Sequence, residues 1–400
     1  MRWVWVVLSG AVLAGCAQDK STQPPAARSS DPAFNQLAKD VLADHFKRSP
    51  SEATDLGIHQ HDEQLDDLSQ AAIAAESSAL KDFRTKVAAI DPATLTPENA
   101  LDREQLIHSL DAGVLALDTI KRWSKDPDTY SSVVTNAAYV IMKRNYAPAA
   151  DRLKALIARE KQMPALLQEA RKNLTHPIRI YTQIAVDQID GNISFFRNDV
   201  PAAFADVTDK ALREEFKQAN DGVIVALGEY KAFLQKDILP RATDDFAYGA
   251  DTYAKALAAN EAVDLPLDRL LQIAEADRQK NEDALQAALK QVDAARPAAR
   301  VFAALQLEHP SADKLLQTTQ DTLDSIRQFI VDHKIITIPQ SDPATVKETP
   351  PFMRSTTSAS MDTPGPFETA KLQAFYNMTL PDPRRPAPSG TITCGTGTTR

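Results

Sequence analysis

Cysteine, glycine and long apolar runs are all scarce in this sequence. Its 400 residues include two cysteines and twelve glycines. Two cysteines cannot build the disulfide framework of small secreted domains, so stability must come from a buried core. After residue 14 no apolar run approaches the ~20 residues that a transmembrane helix needs, so no spanning segment is predicted. The low glycine content, with abundant alanine, leucine, glutamine, lysine and glutamate, favours helices.

Positive charge is also in deficit. The side chains sum to a net charge of −9 at pH 7, and removal of an N-terminal signal that contains Arg2 would leave the body more acidic still. Nucleic acids and anionic lipid surfaces are both bound through basic patches. We therefore predict no nucleic-acid partner and no broad contact of the folded body with anionic lipid.

The motifs of several enzyme classes are missing. None of the seven histidines belongs to an HExxH helix, and no GxSxG elbow or phosphate-binding glycine loop occurs. No catalytic residue can be named. The weak candidates for metal ligands are His59 and His61, which would share one face of an extended segment, with Asp62 or Glu63 to complete a site. A zinc site needs three or four ligands, which favours the alternative of a polar loop and predicts no metal site.

A lipoprotein signal opens the chain. Arg2 precedes a short apolar run, Trp3–Ala14, and the small residues that follow lead to Cys16. This pattern predicts a signal peptide over residues 1–15, a lipid on the Cys16 thiol and a flexible tether over residues 16–31. An uncleaved anchor or a plain secretory signal is the alternative. The residue after the cysteine is not the aspartate that favours inner-membrane retention, so we predict the outer membrane, facing the periplasm.

Helical periodicity dominates residues 32–333. Ser49-Pro50-Ser51-Glu52 predicts a capping box at the start of a short helix that ends at Gly57. Thr96-Pro97 predicts the start of another helix, and a longer one is predicted to follow Pro266. This longer helix carries an apolar stripe suited to packing on a neighbour. These residues form the predicted helical body.

The pattern changes in residues 334–383. Ile335–Ile338, Phe352–Thr357 and Phe375–Thr379 are rich in β-branched or aromatic residues and are predicted strands. The predicted fold is therefore predominantly α, a large multi-helix body with a small β-sheet near the C-terminus. Residues 384–400 lack a core-forming pattern and are predicted to be a disordered tail.

Five short stretches carry a family resemblance. They are Leu56-Gly57-Ile58-His59 followed by Asp62, Tyr146-Ala147-Pro148 followed by Arg152, Leu239–Thr243 leading to Phe246–Gly249, Glu348–Arg354, and Pro364–Phe367. Taken in this order and spacing, over about residues 32–383, they resemble the bacterial family known as domain of unknown function 885.

The resemblance implies a mostly helical relative of the thermolysin-like zinc metallopeptidases. In that family a small sheet precedes an active-site helix with a His-Glu-x-x-x-Gly-His-His type of motif, and zinc is the cofactor. The sheet's edge strand would bind an extended peptide by strand addition, here near residues 352–360 and 375–379. Residues 384–400 do not continue into such a helix. The resemblance thus implies a chain that is catalytically incomplete, with a tail that resembles a wrong reading frame or a premature end.

Two functional classes stay open at this point. In the first, the chain is a lipoprotein that resembles a zinc metallopeptidase-like family but is catalytically incomplete. In the second, it is a non-enzymatic helical envelope lipoprotein that binds peptides or a protein partner. Stoichiometric zinc with peptide cleavage by the 400-residue chain would exclude the incomplete form, and zinc-independent peptide binding would favour the second class.

Overall fold

A computed structural model describes residues 30–338, 343–354 and 357–381. The predicted signal peptide, Cys16, nearly all of the tether and the tail 384–400 lie outside these ranges. The described residues are mostly helical with a small sheet near the C-terminus, which confirms the predicted fold class. Among them, no helix is both long enough and apolar enough to cross a membrane.

The chain divides into two compact units. The first ends at Asp264 and also includes Pro351–Met353 and Pro364–Leu372. Its α-helices are α1 (Asp31–Arg48), α2 (Pro50–Asp55), α3 (Gln70–Ala88), α4 (Pro97–Leu115), α5 (Arg122–Lys125), α6 (Asp128–Met142), α7 (Ala149–Asn173), α8 (Arg179–Ser194), α9 (Val200–Ala203), α10 (Lys210–Phe233), α11 (Leu239–Arg241) and α12 (Ala250–Glu261). Short 3-10 turns lie at His59–His61, Pro92–Thr94 and Pro351–Met353, and π-helical turns at Ala116–Ile120, Phe195–Asp199 and Leu234–Ile238.

The main core of the first unit lies where α7 packs on α6 and α10, with α8 beside them. Its fully buried members are drawn from every one of these helices; they include Tyr130, Ile141, Leu156, Ile189 and Leu227. A smaller apolar cluster joins α1, α3 and α4 through Phe34, Val41, Val87, Leu95 and Leu110. Apolar residues at helical spacing thus supply the stability that the missing disulfides cannot.

Two predicted helix starts can be compared with their caps. Thr96 caps α4 as predicted, because its hydroxyl accepts from the backbone N–H of Asn99 at 3.4 Å. The capping box before α2 is wrong: the Ser49 side chain makes no cap hydrogen bond. Glu52, the other member of the predicted box, lies instead 3.4 Å from the ring of His45 on α1. A tertiary partner has displaced the local one, while the helix itself forms where Pro50 predicts it.

The second unit comprises Leu265–Pro350, Arg354–Thr363 and the residues from Gln373 onwards. Its helices are α13 (Leu267–Asp293), α14 (Ala298–Leu305) and α15 (Leu315–Asp332), and its strands are β1 (Thr345–Glu348), β2 (Ala359–Asp362) and β3 (Phe375–Met378). The strand order is β1-β3-β2. β1 is parallel to β3, with Thr345 opposite Phe375, and β2 is antiparallel to β3, with Ser360 opposite Asn377.

The three predicted strands fared differently. The one at Phe375–Thr379 is confirmed as β3. Ile335–Ile338 is not a strand; it follows the end of α15, and the N–H of Ile335 bonds back to the carbonyl of Ile330. Phe352 lies in a 3-10 turn, with its ring buried against Tyr139 and Phe195 of the first unit's core, which overrides its β propensity. The strand positions near 352–360 that the resemblance implied shift accordingly to β2.

The predicted apolar stripe of α13 is largely open. Leu289 is buried, whereas Leu271, Leu285 and Val292 are exposed. The helix begins at Leu267, directly after Pro266, as predicted. Helical periodicity therefore located the stripe, but only the packing determines how much of it is covered.

Candidate functional site

Three of the stretches that carry the family resemblance meet in the first unit. His59 and Asp62 come from the turn that follows α2, and Tyr146 comes from the loop before α7. Glu368 follows the fifth stretch and lies in Pro364–Leu372, which we call the strap. We call these four side chains the His59 cluster.

His59 lies between two carboxylates. Its Nδ1 is 3.1 Å from Oδ2 of Asp62, and its Nε2 is 3.2 Å from Oε2 of Glu368. The ring of Tyr146 stacks on the imidazole with centroids 3.8 Å apart, and its hydroxyl donates to Oδ2 of Asp62 at 2.8 Å. Each imidazole nitrogen has its own carboxylate, so the arrangement favours the doubly protonated ring.

The strap approaches the turn after α2 at two glycines. Gly57 has φ +91°, and a Cβ added there would lie 2.6 Å from the Cα of Glu368. A Cβ added at Gly365 would meet the backbone of Leu56. The backbone N–H of Phe367 donates to the Leu56 carbonyl at 2.9 Å. The absence of two side chains therefore allows the strap to dock backbone against backbone.

A buried arginine is linked to the His59 cluster by hydrogen bonds. Arg159 on α7 is 0% exposed, and its Nη2 donates to the hydroxyl of Thr54 at 2.7 Å and to the carbonyl of Pro50 at 3.1 Å. Its Nη1 donates to the carbonyl of Ala137 on α6 at 2.9 Å. Thr54 in turn donates to Oδ1 of Asp62 at 2.6 Å. Arg159 thus joins α2, α6 and α7 and positions Asp62 through Thr54.

Titration of the cluster follows from these contacts. Burial alone would lower the pKa of His59, but hydrogen bonds to Asp62 and Glu368 outweigh it and raise the pKa above its ordinary 6.5. Burial would raise the pKa of Asp62, yet hydrogen bonds, the first of them from His59, bring it below 3.8. For Glu368, burial is outweighed by the N–H of Ala370 and by His59, and the pKa falls below 4.5. Burial raises the pKa of Tyr146, which therefore remains a hydroxyl donor.

The docking of the strap is expected to depend on pH in both directions. The raised pKa of His59 means that its contribution is complete below 6.5 and is lost as the pH rises through the folded-state value. The lowered pKa of Glu368 means that its contribution is complete above 4.5 and is lost as the pH falls through its folded-state value. We expect the hydrogen-exchange protection factor of the Phe367 amide to be greatest between pH 4.5 and pH 6.5, where both contributions are complete.

His59→Phe is the matched test, because phenylalanine keeps a ring for Tyr146 but cannot bind either carboxylate. The protection factor of Phe367 should fall and lose its dependence on pH on the alkaline side. His176→Phe, at an exposed position of the same unit, is the control and should leave the profile unchanged. An unaltered pH profile in His59→Phe would show that the imidazolium does not hold the strap.

A groove of about 620 Å³ opens beside the cluster. It is lined by His59, Gln60, Asp62, Glu63, Gln64, Tyr146, Ala147, Asp151, Arg152, Ala155 and Ala158. Arg152 is committed to the protein itself, since it donates to the carbonyls of Ile141 and Ala147 and to Asn145. Both nitrogens of His59 are occupied as well. The cluster is therefore arranged to hold the strap beside a polar groove, and it presents no free base next to a nucleophile.

The candidate zinc ligands His59 and His61 lie in a 3-10 turn and not on an extended segment. With about three residues per turn, side chains two positions apart point in different directions, so the expectation that they share one face is wrong. Within the described ranges, no three or more His, Cys, Asp or Glu side chains are grouped to hold a metal ion.

Sequence reasoning missed several residues of this site. Glu368, Thr54 and Arg159 carry no local signal of their role, and Glu368 is 309 positions from His59. The only usable signal was the family resemblance, since it marked both sides of the contact between the strap and the turn after α2. The stretch Leu239–Thr243 does not join the cluster; there the N–H of Thr243 bonds the carbonyl of Pro177 at 3.0 Å, near the start of α8.

Comparison with known sequences gives one family. The model of a family described as bacterial protein of unknown function (DUF885) matches residues 50–393. This span contains the His59 cluster, the strap and the sheet. No curated protein matches the chain.

Two solved structures are similar to this fold. One, from Shewanella oneidensis, is described as a lipoprotein of unknown function; it is 23% identical, with a TM-score of 0.67 over 88% of this chain and 65% of that chain. The other, described as a lipoprotein from Colwellia psychrerythraea, is 14% identical, with a TM-score of 0.66 over 88% of this chain and 68% of that chain. At these identities the similarity shows the fold alone. The present chain spans 65% of the length of the Shewanella protein.

Proposed function

Because the chain belongs to the DUF885 family of bacterial proteins, we propose that it is a membrane-anchored envelope lipoprotein that binds extended peptides by strand addition at β2. The description of both similar structures as lipoproteins supports the anchor, which Cys16 would carry. The outer membrane, facing the periplasm, is the proposed location. The relationship to thermolysin-like peptidases belongs to the same proposal, because the resemblance implies that the edge strand would bind an extended peptide by strand addition.

The observation that carries the proposal is the difference between the two edges of the sheet. The outer edge of β1 is occupied by Gln320 from α15, whose amide oxygen accepts from the N–H of Val346 at 2.8 Å and whose amide nitrogen donates to the carbonyl of Ala344 at 3.3 Å. One side-chain amide thus takes the place of a neighbouring strand at Ala344 and Val346.

The outer edge of β2 has no such cover among the described residues. Ser360 lies opposite Asn377, and the N–H of Thr379 bonds the carbonyl of Ser358. The backbone N–H and C=O groups of the even-numbered residues therefore point towards β3, whereas those of Ala359 and Met361 point away from the sheet. The Ala359 carbonyl accepts only from the nearby Thr357 hydroxyl, at 2.6 Å. Met361 is 55% exposed. An extended peptide could pair with the backbone of Met361 and continue the sheet.

The described residues do not fit zinc, the cofactor that the resemblance implies. Each nitrogen of His59 bonds a different carboxylate, and no three ligand side chains converge in the described ranges. The proposed function of this part of the chain is therefore peptide binding, with no step through a metal.

Met361→Pro tests the proposal. Proline removes the outward N–H without removing a β2–β3 hydrogen bond, which is why proline is tolerated on sheet edges. We expect binding of fluorescein-labelled, unstructured short peptides, followed by anisotropy, to weaken about five- to thirtyfold, since the loss of this backbone hydrogen bond costs roughly 1–2 kcal/mol. Met361→Ala, which shortens the side chain but keeps the N–H, is the matched control and should bind within about twofold of the unmodified chain.

Peptides provide a second, independent measurement if Met361→Pro does not fold. Two series of peptides are compared, one methylated at the odd-numbered nitrogens and one at the even-numbered nitrogens. One series should lose binding to the unmodified chain and the other should bind unchanged, because only one set of peptide amides faces the sheet. Equal binding by both methylated series, or unimpaired binding by a folded Met361→Pro chain, would contradict strand addition.

A further inference from the structure

A second groove in the first unit is basic in an otherwise acidic chain. It has a volume of about 670 Å³ and lies between the π-helical turn at Phe195–Asp199, α9 and the part of α10 up to Ile224. Arg197, Lys210, Arg213 and Lys217 line it, against Glu214 and Asp221. This groove shares no lining residue with the groove beside the His59 cluster.

Three of these cations lack a carboxylate partner within the described part of the chain. Lys217 is paired with Asp221 at 2.6 Å, and Glu214 accepts from the side chain of Gln218 at 3.1 Å. Arg213 reaches only backbone carbonyls, at 3.5 Å. No ion pair is formed by Arg197 or Lys210 in the described residues. These cations are exposed to solvent, and like charges grouped in one groove produce a local positive potential that attracts an anion.

The floor of the same groove is apolar. Phe216 and Ile224 lie on the face of α10 that points into it, and Pro201 of α9 closes one side. Phe216 is 8% exposed and belongs to the main core, so this wall is rigid. An occupant that satisfies both parts of the groove needs an anionic head and an apolar chain.

We propose that this groove binds the phosphate head of an anionic amphiphile, with the first carbons of its chain against Phe216 and Ile224. A phosphate presents several oxygens to cations that approach from two elements, and guanidinium groups bind it through paired donors. The net charge of −9 opposes broad contact with anionic surfaces. At physiological salt, however, that repulsion is screened beyond about 8 Å, so the local groove determines binding at contact.

Octyl phosphate is the probe, titrated calorimetrically into the 400-residue chain below its micelle concentration. We expect saturable binding that weakens at least about tenfold in Arg197→Ala/Lys210→Ala, because each charged hydrogen bond contributes roughly 1.5–3 kcal/mol. Lys39→Ala/Lys236→Ala changes the net charge equally at exposed positions outside the groove and should bind as the unmodified chain does. Octanol and inorganic phosphate each satisfy one part of the groove and should bind much more weakly than octyl phosphate.

The source of the head group is separated by flotation with vesicles. Retention on phosphatidylglycerol vesicles but not phosphatidylcholine vesicles, lost in Arg197→Ala/Lys210→Ala, would support a bilayer lipid as the occupant. Binding of octyl phosphate without retention on vesicles would support a soluble amphiphile. Equal affinity of the two double variants for octyl phosphate, or inorganic phosphate binding as tightly as octyl phosphate, would overturn the proposal. Peptide binding at β2 can be lost without affecting any of these results.

Discussion

Gly365→Ala is expected to detach the strap from the turn after α2. The added Cβ would lie 2.6 Å from the carbonyl oxygen of Asp55 and closer still to the backbone of Leu56. Backbone atoms cannot turn aside as a flexible side chain can, so either the strap undocks or the whole turn shifts. We expect a loss of roughly 3 kcal/mol in the free energy of unfolding of the first unit, the upper end of overpacking effects. The Phe367 amide should lose its hydrogen-exchange protection.

Gly222→Ala is the matched control for this prediction. It is the same chemical change, but Gly222 lies within α10 and an added Cβ there meets nothing within 4 Å. Alanine should stabilise that helix by about 0.5–1 kcal/mol. Chemical denaturation of both variants measures the difference. A Gly365→Ala chain as stable as the unmodified one, with the Phe367 amide still protected, would show that the close approach at the strap is not required.

Arg159→Met is expected to be more damaging. Methionine fills part of the space but removes every donor, which leaves the carbonyls of Pro50 and Ala137 without the bonds that the guanidinium supplied. Hydrogen bonds from a charged group contribute about 1.5–3 kcal/mol each, and at least two are lost, so we expect a loss of roughly 3–5 kcal/mol. That is a large share of the ~5–15 kcal/mol by which domains are stable. Because Arg159 also holds Thr54, the effect should reach Asp62 and the strap.

Two further variants separate the geometry of Arg159 from its charge. Arg159→Lys keeps the charge, but one ammonium cannot bridge α2 and α6, and we expect it to recover less than half of the loss. Lys154→Ala, on the exposed side of the same helix, should change the free energy of unfolding by less than about 0.5 kcal/mol. Full stability of Arg159→Lys in urea denaturation would mean that charge alone, and not the shape of the guanidinium, is needed.

Local signals in the sequence were sufficient for much of the secondary structure. Thr96-Pro97 located the start of α4 and Pro266 that of α13. These predictions succeed because a cap or a proline acts on the residues beside it. The strand predicted at Ile335–Ile338 was wrong, because the N–H of Ile335 bonds back to the last turn of α15, and β propensity does not register such a contact.

The site was predictable only in part. His59 and His61 were singled out as weak candidates for metal ligands, with a polar loop as the favoured alternative. The structure places a tyrosine ring and a second carboxylate beside His59, which neither alternative indicated. The family resemblance marked the strap without indicating its partner. The contact between Gln320 and β1 could not be predicted, because the sequence around a glutamine on a helix surface does not indicate which group its amide will bind.

The sequence alone determined the predominantly α class, the dependence on a core without disulfides and the acidity of the body. Each of these follows from composition and short-range periodicity, which do not depend on how the chain is folded. Only the tertiary structure decided that the strap docks at Gly57, that the Gln320 amide binds the outer edge of β1 at Ala344 and Val346, and that four basic residues share a groove. These features depend on contacts between distant residues, such as the 309 positions that separate His59 from Glu368, and such contacts are selected by packing.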